Sequence, residues 1–299
     1  MFEGSIPHHF DDYELTQERK DALQFNVNLV KEGMMVNGVN GNNCVMIEGT
    51  EGQKESEKWL RERCLRVTAS KCKSVNAYGE KLLGGRGKEV HGQMYRYIST
   101  NLWNPKHVQT KDMKYGIDEE PNARKAYTDA SGRKVLETGM WINTSHPYIG
   151  ASPDGLIVND SGENVGTLEV KCLKVLKELS VLELKQKIEQ NEIPRVKLSS
   201  FCFELKDGQL VLKESHMYYY QIQLQMLATG LPFCDFVLHT PKGPPSIQRI
   251  SENRHFQMGL ARNIKAFWEK VFIPEYFEMR VPRRLLPFVL SFSQICSVL

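Results

Sequence analysis

The stretch from Ile149 to Cys172, IGASPDGLIVNDSGENVGTLEVKC, constrains the fold more than any other part of the chain. Pro153-Asp154-Gly155 breaks two apolar runs, and Pro and Gly at such a break set a tight corner. Gly150 to Val158 therefore reads as a strand end, a corner and a second strand. Asn159 to Gly166 is polar and reads as a hairpin loop. Thr167-Leu168-Glu169-Val170-Lys171-Cys172 then alternates, so at a period of two Glu169 and Lys171 leave one face and Leu168 and Val170 the other. One face of the strand is apolar and the other carries charge.

If the hairpin pairs in register, Asp154 at the corner and Glu169 on the returning strand converge on one hard cation, with the Lys171 ammonium alongside. Two carboxylates and water suit Mg²⁺, with Mn²⁺ as the alternative, and a nearby lysine can orient an attacking water and offset charge on a phosphate. Glu-x-Lys alone is a weak signal, since it recurs at Glu18/Lys20, Glu183/Lys185 and Glu204/Lys206. Ser-Pro-Asp-Gly followed by a strand-borne Glu-Val-Lys is far more selective. On the residues alone a blander reading stays open, in which Asp154 is a turn residue and Glu169 and Lys171 form an exposed cross-strand face.

Ser152-Pro153-Asp154 with Glu169-Val170-Lys171 resembles the PD-(D/E)XK nuclease superfamily, in particular its YqaJ-type viral recombinase and lambda exonuclease branch. The resemblance covers most of residues 53 to 250. It implies an α/β fold with a restriction-endonuclease-like core, a mixed central β-sheet flanked by α-helices. Met113 to Tyr127 matches the family's Gly-x-x-x-Glu-Pro-x-Ala helix, which makes Glu120, not Glu119, the acid that approaches the metal. Pro121 predicts that this helix starts or kinks there.

Trp59, Arg63 and Thr68-Ala69-Ser70 follow the family's order near the domain start, which implies that Arg63 and Ser70 hold a DNA phosphate. Taken blind, Arg63 is a solvated helix residue and Ser70 a helix cap. Lys177 stands near a basic phosphate-pocket position of the family, and Cys172-Leu173 departs from its usual Cys-Pro. Tyr218 and Gln221 match Tyr-x-x-Gln-x-Gln, lie three apart on one helix face, and are followed on that face by Gln225. The implied assignment gives Asp154, Glu169 and the Val170 carbonyl the metal, with Glu120 in support. Lys171 and Gln221 position water, and Arg63, Ser70, Ser152 and Lys177, with Tyr218 beside them, hold a terminal phosphate.

The resemblance further implies 5′ to 3′ digestion of duplex DNA ends in recombination or repair, a homo-oligomeric state and a single-strand annealing partner. Charge agrees with a nucleic-acid partner. Residues 1–52 carry three Lys/Arg against nine Asp/Glu, while the rest carries 36 against 27. A basic body attracts phosphates by releasing their counterions. Three segments are expected: an acidic N-terminal extension (1–52), a nuclease domain (53–280) and an apolar tail (281–299).

The seven cysteines are scattered without a CxxC pair, which points to reduced, mostly buried thiols. With no basic-then-apolar start, the expectation is an intracellular protein, nuclear if eukaryotic and otherwise cytoplasmic. The apolar tail from Leu285 to Leu299 is 15 residues, too short to span a membrane.

Elsewhere the pattern predicts helices over 16–32, 53–65, 175–188, 216–229 and 252–269, the last covering the sheet. It predicts strands over 43–47, 134–144 and 233–239 and a hairpin over 201–213. A nucleic-acid-binding or recombination partner without turnover, a structural protein that binds RNA or another protein, and an endonuclease using the same acids are the competing functions.

Overall fold

The computed structural model describes residues 15–35, 43–105 and 110–290. In chain order its elements begin with α1 (Gln17–Gly33), β1 (Cys44–Ile47), α2 (Glu57–Arg63), β2 (Val67–Thr68), α3 (Cys72–Leu83), α4 (His91–Ile98) and α5 (Lys111–Ser131). There follow β3 (Lys134–Leu136), β4 (Met140–Asn143), β5 (Ile149–Gly150), β6 (Gly155–Val158), β7 (Asn164–Cys172), α6 (Val181–Glu189) and α7 (Arg195–Ser200). The chain closes with β8 (Phe203–Lys206), β9 (Gln209–Leu212), α8 (Met217–Thr229), β10 (Phe233–His239), β11 (Ser246–Ser251), α9 (Arg254–Phe267) and α10 (Ile273–Glu278).

The fold is mixed α/β, a central sheet between helices. Five strands run in the order β11-β10-β7-β6-β3, with β7 and β10 parallel and the other pairs antiparallel. Leu168 and Val170 on the apolar face of β7 pack with Ala123 and Tyr127 of α5. The other face receives α8, whose Ile222 and Met226 join Phe236 and Leu238 of β10 in a second cluster. Each fully buried aliphatic side chain contributes roughly 1.5–3 kcal/mol when taken from water, so α5 is held to the sheet by the apolar face legible in β7 and α8 by the apolar residues of β10.

α1 and β1, from the acidic first 52 residues, are part of this body. Leu23 and Val27 are fully buried and β1 pairs with β4. At the other end Leu286 and Leu290 are buried, Leu290 against Leu15 and Leu23. The expected loop over 37–43 and the tail beyond Leu290, with Cys296, lie largely or wholly outside the described residues. None of the six described cysteines is in a disulfide, and all are buried but Cys64. No helix among the described residues is long and apolar enough to cross a membrane.

Several expectations are corrected. α5 does not begin at Pro121; it starts at Lys111 under the Thr110 hydroxyl and carries the proline in its interior. The helix expected from Val175 begins only at Val181, where Ser180 and Glu183 form a capping box. Residues 134–144 make two strands in different sheets, β3 and β4, because the run breaks at 137–139. The hairpin loop shrinks to 159–163 as β7 extends back to Asn164. Ser70 caps no helix, and its hydroxyl lies instead 3.4 Å from that of Thr68. α9 packs on α3 and α8 rather than over the sheet.

Candidate active site

β6 stops pairing with β7 at Gly155, opposite Leu168, and Asp154 finishes the ladder. Its amide donates to the Leu168 carbonyl at 3.1 Å, and its Oδ2 accepts from the Val170 amide at 2.8 Å. A side chain thus stands in for the next residue of the strand. The N–H and C=O of one strand residue point to the same side, so the Val170 carbonyl also faces the side that β6 has left.

Between Leu168 and Val170 on β7, Glu169 is fully buried beneath α8. Gln221 Nε2 donates to its Oε1 at 2.6 Å, Gln225 Nε2 to its Oε2 at 2.7 Å, and the Lys171 ammonium to Oε1. The i, i+4 spacing of the two glutamines on α8 brings both amides onto one carboxylate. Lys171, 18 % exposed, also lies 4.8 Å from the centre of the Tyr218 ring, a cation–π contact.

α5 reaches the same point from the opposite face of the sheet. Arg124 Nη1 donates to Glu120 Oε1 at 3.1 Å and to the Asp154 carbonyl at 3.2 Å. Glu119, one residue earlier, turns to His239, 4.0 Å from its Nε2.

The electrostatics follow from this crowding. Burial, then the Glu169 carboxylate, push Asp154 well above the usual carboxylate range, against the pull of Lys171. Burial raises Glu120 as well, with Arg124 opposing and Glu169 adding to it. Burial works against the Lys171 charge, yet Glu169 and Asp154 together hold the ammonium above its ordinary value. Three carboxylates thus share one lysine and one arginine, and the deficit of positive charge fits a hard divalent cation. Among the described residues no three His, Cys, Asp or Glu side chains close round one point, so an ion here would need the Val170 carbonyl and water, as Mg²⁺ with its retained water shell does.

A second group adjoins the corner. The Arg63 guanidinium stacks 4.0 Å from the centre of the Trp59 ring, whose Nε1 donates to Ser152 Oγ at 2.8 Å. Lys177, half exposed, pairs with Glu178 at 3.5 Å and not with this group.

Two contributors, Arg124 and Gln53, escaped the sequence reading, and a third, Gln225, was placed without its role. Arg124 was announced only by its i, i+4 spacing from Glu120. Gln225 lay on the Gln221 face without a stated partner. Gln53, whose Nε2 donates to the Thr138 and Pro153 carbonyls at 3.3 Å each, had no signal, because its acceptors lie far along the chain.

Of solved structures, an alkaline exonuclease (LHK-Exo) from Laribacter hongkongensis is similar, at 21% identity over 76% of this chain and 95% of that one, with a TM-score of 0.45. A phage related exonuclease from Haemophilus somnus 129PT is 11% identical over 73% of this chain and 96% of that one, with a TM-score of 0.44. No curated protein matches the chain. A family model, that of the YqaJ-like viral recombinase domain, matches residues 58–232, from Lys58 on α2 to Pro232 just before β10. That match takes in more than half of the sequence and all of the carboxylates of the cleft, and the chain belongs to the YqaJ-like viral recombinase domain family.

Proposed function

We propose that the protein is a metal-dependent deoxyribonuclease that degrades duplex DNA from its ends, in the 5′ to 3′ direction, during recombination or repair. The observation that carries this reading is the convergence of Asp154, Glu169 and Lys171 at the end of β6, with Glu120 brought in by α5. Membership of a recombinase family and the basic body of the chain support DNA as substrate, and family likeness adds further copies of the chain and a single-strand annealing protein as partners.

Asp154, Glu169 and the Val170 carbonyl would hold Mg²⁺, or Mn²⁺ in its place, with Glu120 in support. When bound, the ion supplies Lewis-acid polarisation of the scissile phosphate and a more acidic water. Lys171 orients the attacking water and offsets charge on the phosphate, while Gln221 keeps the Glu169 carboxylate in place. Arg63, held flat by Trp59, would grip the terminal phosphate with Ser70 and Ser152, and Lys177 and Tyr218 would complete that grip after rotating from their present contacts.

The test incubates the protein and its Asp154→Ala variant with end-labelled linear and closed circular duplex DNA, in Mg²⁺ or EDTA. The expected outcome is loss of linear DNA alone, abolished by EDTA and by the substitution. Cutting of circles would make the enzyme an endonuclease, and binding without metal-dependent cutting would reduce it to a recombination partner.

A further inference from the structure

Glu120 and the Asp154 corner approach the cleft from two segments that share no backbone ladder, yet one side chain touches both. Arg124 Nη1 lies 3.1 Å from Glu120 Oε1 and 3.2 Å from the Asp154 carbonyl, and Nη2 lies 3.2 Å from Glu137 Oε1. The three acceptors belong to α5, to the corner before β6 and to the link between β3 and β4. A guanidinium is planar and presents its donors in a rigid fork, so three acceptors on three segments fix its plane. Glu137 is 78 % exposed, and a pair so open to water constrains little. The two inner bonds are partly buried and carry the constraint.

We propose that Arg124 is a positioning residue, which holds the Glu120 carboxylate and the Asp154 corner at a fixed separation and so preassembles the cation site. The inference rests on the reading of this cleft as a metal-dependent nuclease site. Without Arg124, Glu120 loses the largest of the positive charges that act on it and faces Glu169 with only the weaker pull of Lys171 and Lys54, which lets it move outward. The Asp154 carbonyl loses a donor at the same time, and the corner that presents the Asp154 side chain to the Val170 amide loosens. A lysine could replace the charge but not both bonds, because a single ammonium on a flexible stem lacks the fork.

The experiment compares the full chain with Arg124→Ala and Arg124→Lys. Calorimetric titration with Mg²⁺ and with Mn²⁺ gives the cation affinity. Hydrogen exchange of the peptide covering 152–156, in EDTA, reports the corner without any metal. Steady-state rates on linear duplex separate kcat from KM. Arg124→Ala is expected to weaken the cation roughly 10- to 100-fold, as removal of an outer partner of a metal ligand does. It should also speed exchange at 152–156 and lower kcat with KM for DNA little changed, with Arg124→Lys intermediate in each.

Wild-type cation affinity and wild-type exchange in Arg124→Ala would overturn the proposal. Should Arg124→Ala not fold, Arg124→Lys decides alone, since behaviour identical to wild type would equally overturn it. A wild-type protein that bound neither Mg²⁺ nor Mn²⁺ would remove the nuclease reading instead, and exchange at 152–156 would still show whether Arg124 holds the corner.

Discussion

Glu169 is a carboxylate buried completely, and such a charge is costly unless it is paired and its lone pairs are satisfied. Lys171, Gln221 and Gln225 supply that satisfaction. Asp154 adds the opposite effect, a second carboxyl crowded against the first. Loss of the Lys171 charge and loss of the Asp154 charge should therefore act with opposite signs in metal-free buffer. Lys171→Met leaves Glu169 without its cation and is expected to cost about 3–5 kcal/mol in urea unfolding at pH 7. Asp154→Asn keeps an oxygen for the Val170 amide, removes the repulsion, and should raise the melting temperature while abolishing cleavage. The folded-state pKa of Asp154 lies above the usual carboxylate range, so the folded protein holds that proton more tightly than the unfolded chain does. Its destabilising effect is absent below the unfolded value and grows as pH rises through the folded one. The gain from Asp154→Asn should then be larger at pH 8 than at pH 4, and equal gains at both would show that the carboxyl is not crowded.

α3 and α9 cross so closely that a Cβ at Gly79 would lie 1.8 Å from the Asn263 carbonyl oxygen. Backbone cannot yield as a side-chain tip can, so the helices must part. Gly79→Ala is expected to cost roughly 1–3 kcal/mol or more, a fall in melting temperature of several degrees by calorimetry. An unchanged melting temperature would mean that the crossing is looser than this. α5 shows why helix limits were the least legible part of the sequence. An interior proline costs about 3 kcal/mol by removing one hydrogen bond and crowding the preceding turn. Local chemistry therefore favours a helix that starts or kinks at Pro121. The helix runs through because Ala123 and Tyr127, beyond the proline, are fully buried against the sheet, and the Tyr127 hydroxyl donates to Asp235 at 2.7 Å.

Across the whole molecule, the segment after α9 folds back to join the two ends of the described chain. Arg280 Nε donates to the Leu286 carbonyl at 2.7 Å, and the Leu290 amide donates to the Lys270 carbonyl at 2.9 Å. Glu275 sits at the root of this strap, 1 % exposed, accepting from the Val281 amide at 2.7 Å and from Trp103 Nε1 at 3.2 Å. Burial raises its carboxyl from 4.5 to about 7, against those hydrogen bonds. Below 4.5 the carboxyl is protonated in both states and has no effect. As pH rises to 7 the unfolded chain gives up its proton first, so stability falls, by on the order of 3 kcal/mol in all. The difference in melting temperature between Glu275→Gln and wild type should therefore move in favour of the variant from pH 5 to pH 8. A difference independent of pH would mean that Glu275 is ionised throughout.

The sequence alone determined which side chains share a face. The period of two in β7 put Glu169 beside Lys171, the corner residues set Asp154 at a strand end, and the helical spacing of α8 aligned Tyr218, Gln221 and Gln225. These are properties of a few consecutive residues and of backbone geometry, and they need no partner. Tertiary structure decided which face is covered and what meets across it. Nothing in the Glu-Val-Lys run says that α8, some fifty residues on, will bury Glu169 and donate two amides to it, since an alternating strand is equally suited to an exposed polar face. Nor does the spacing of Glu120 and Arg124 say that the guanidinium will also reach Asp154, thirty residues away. Those contacts depend on sheet order and on which apolar surfaces find each other, and both are settled by burial summed over the whole chain.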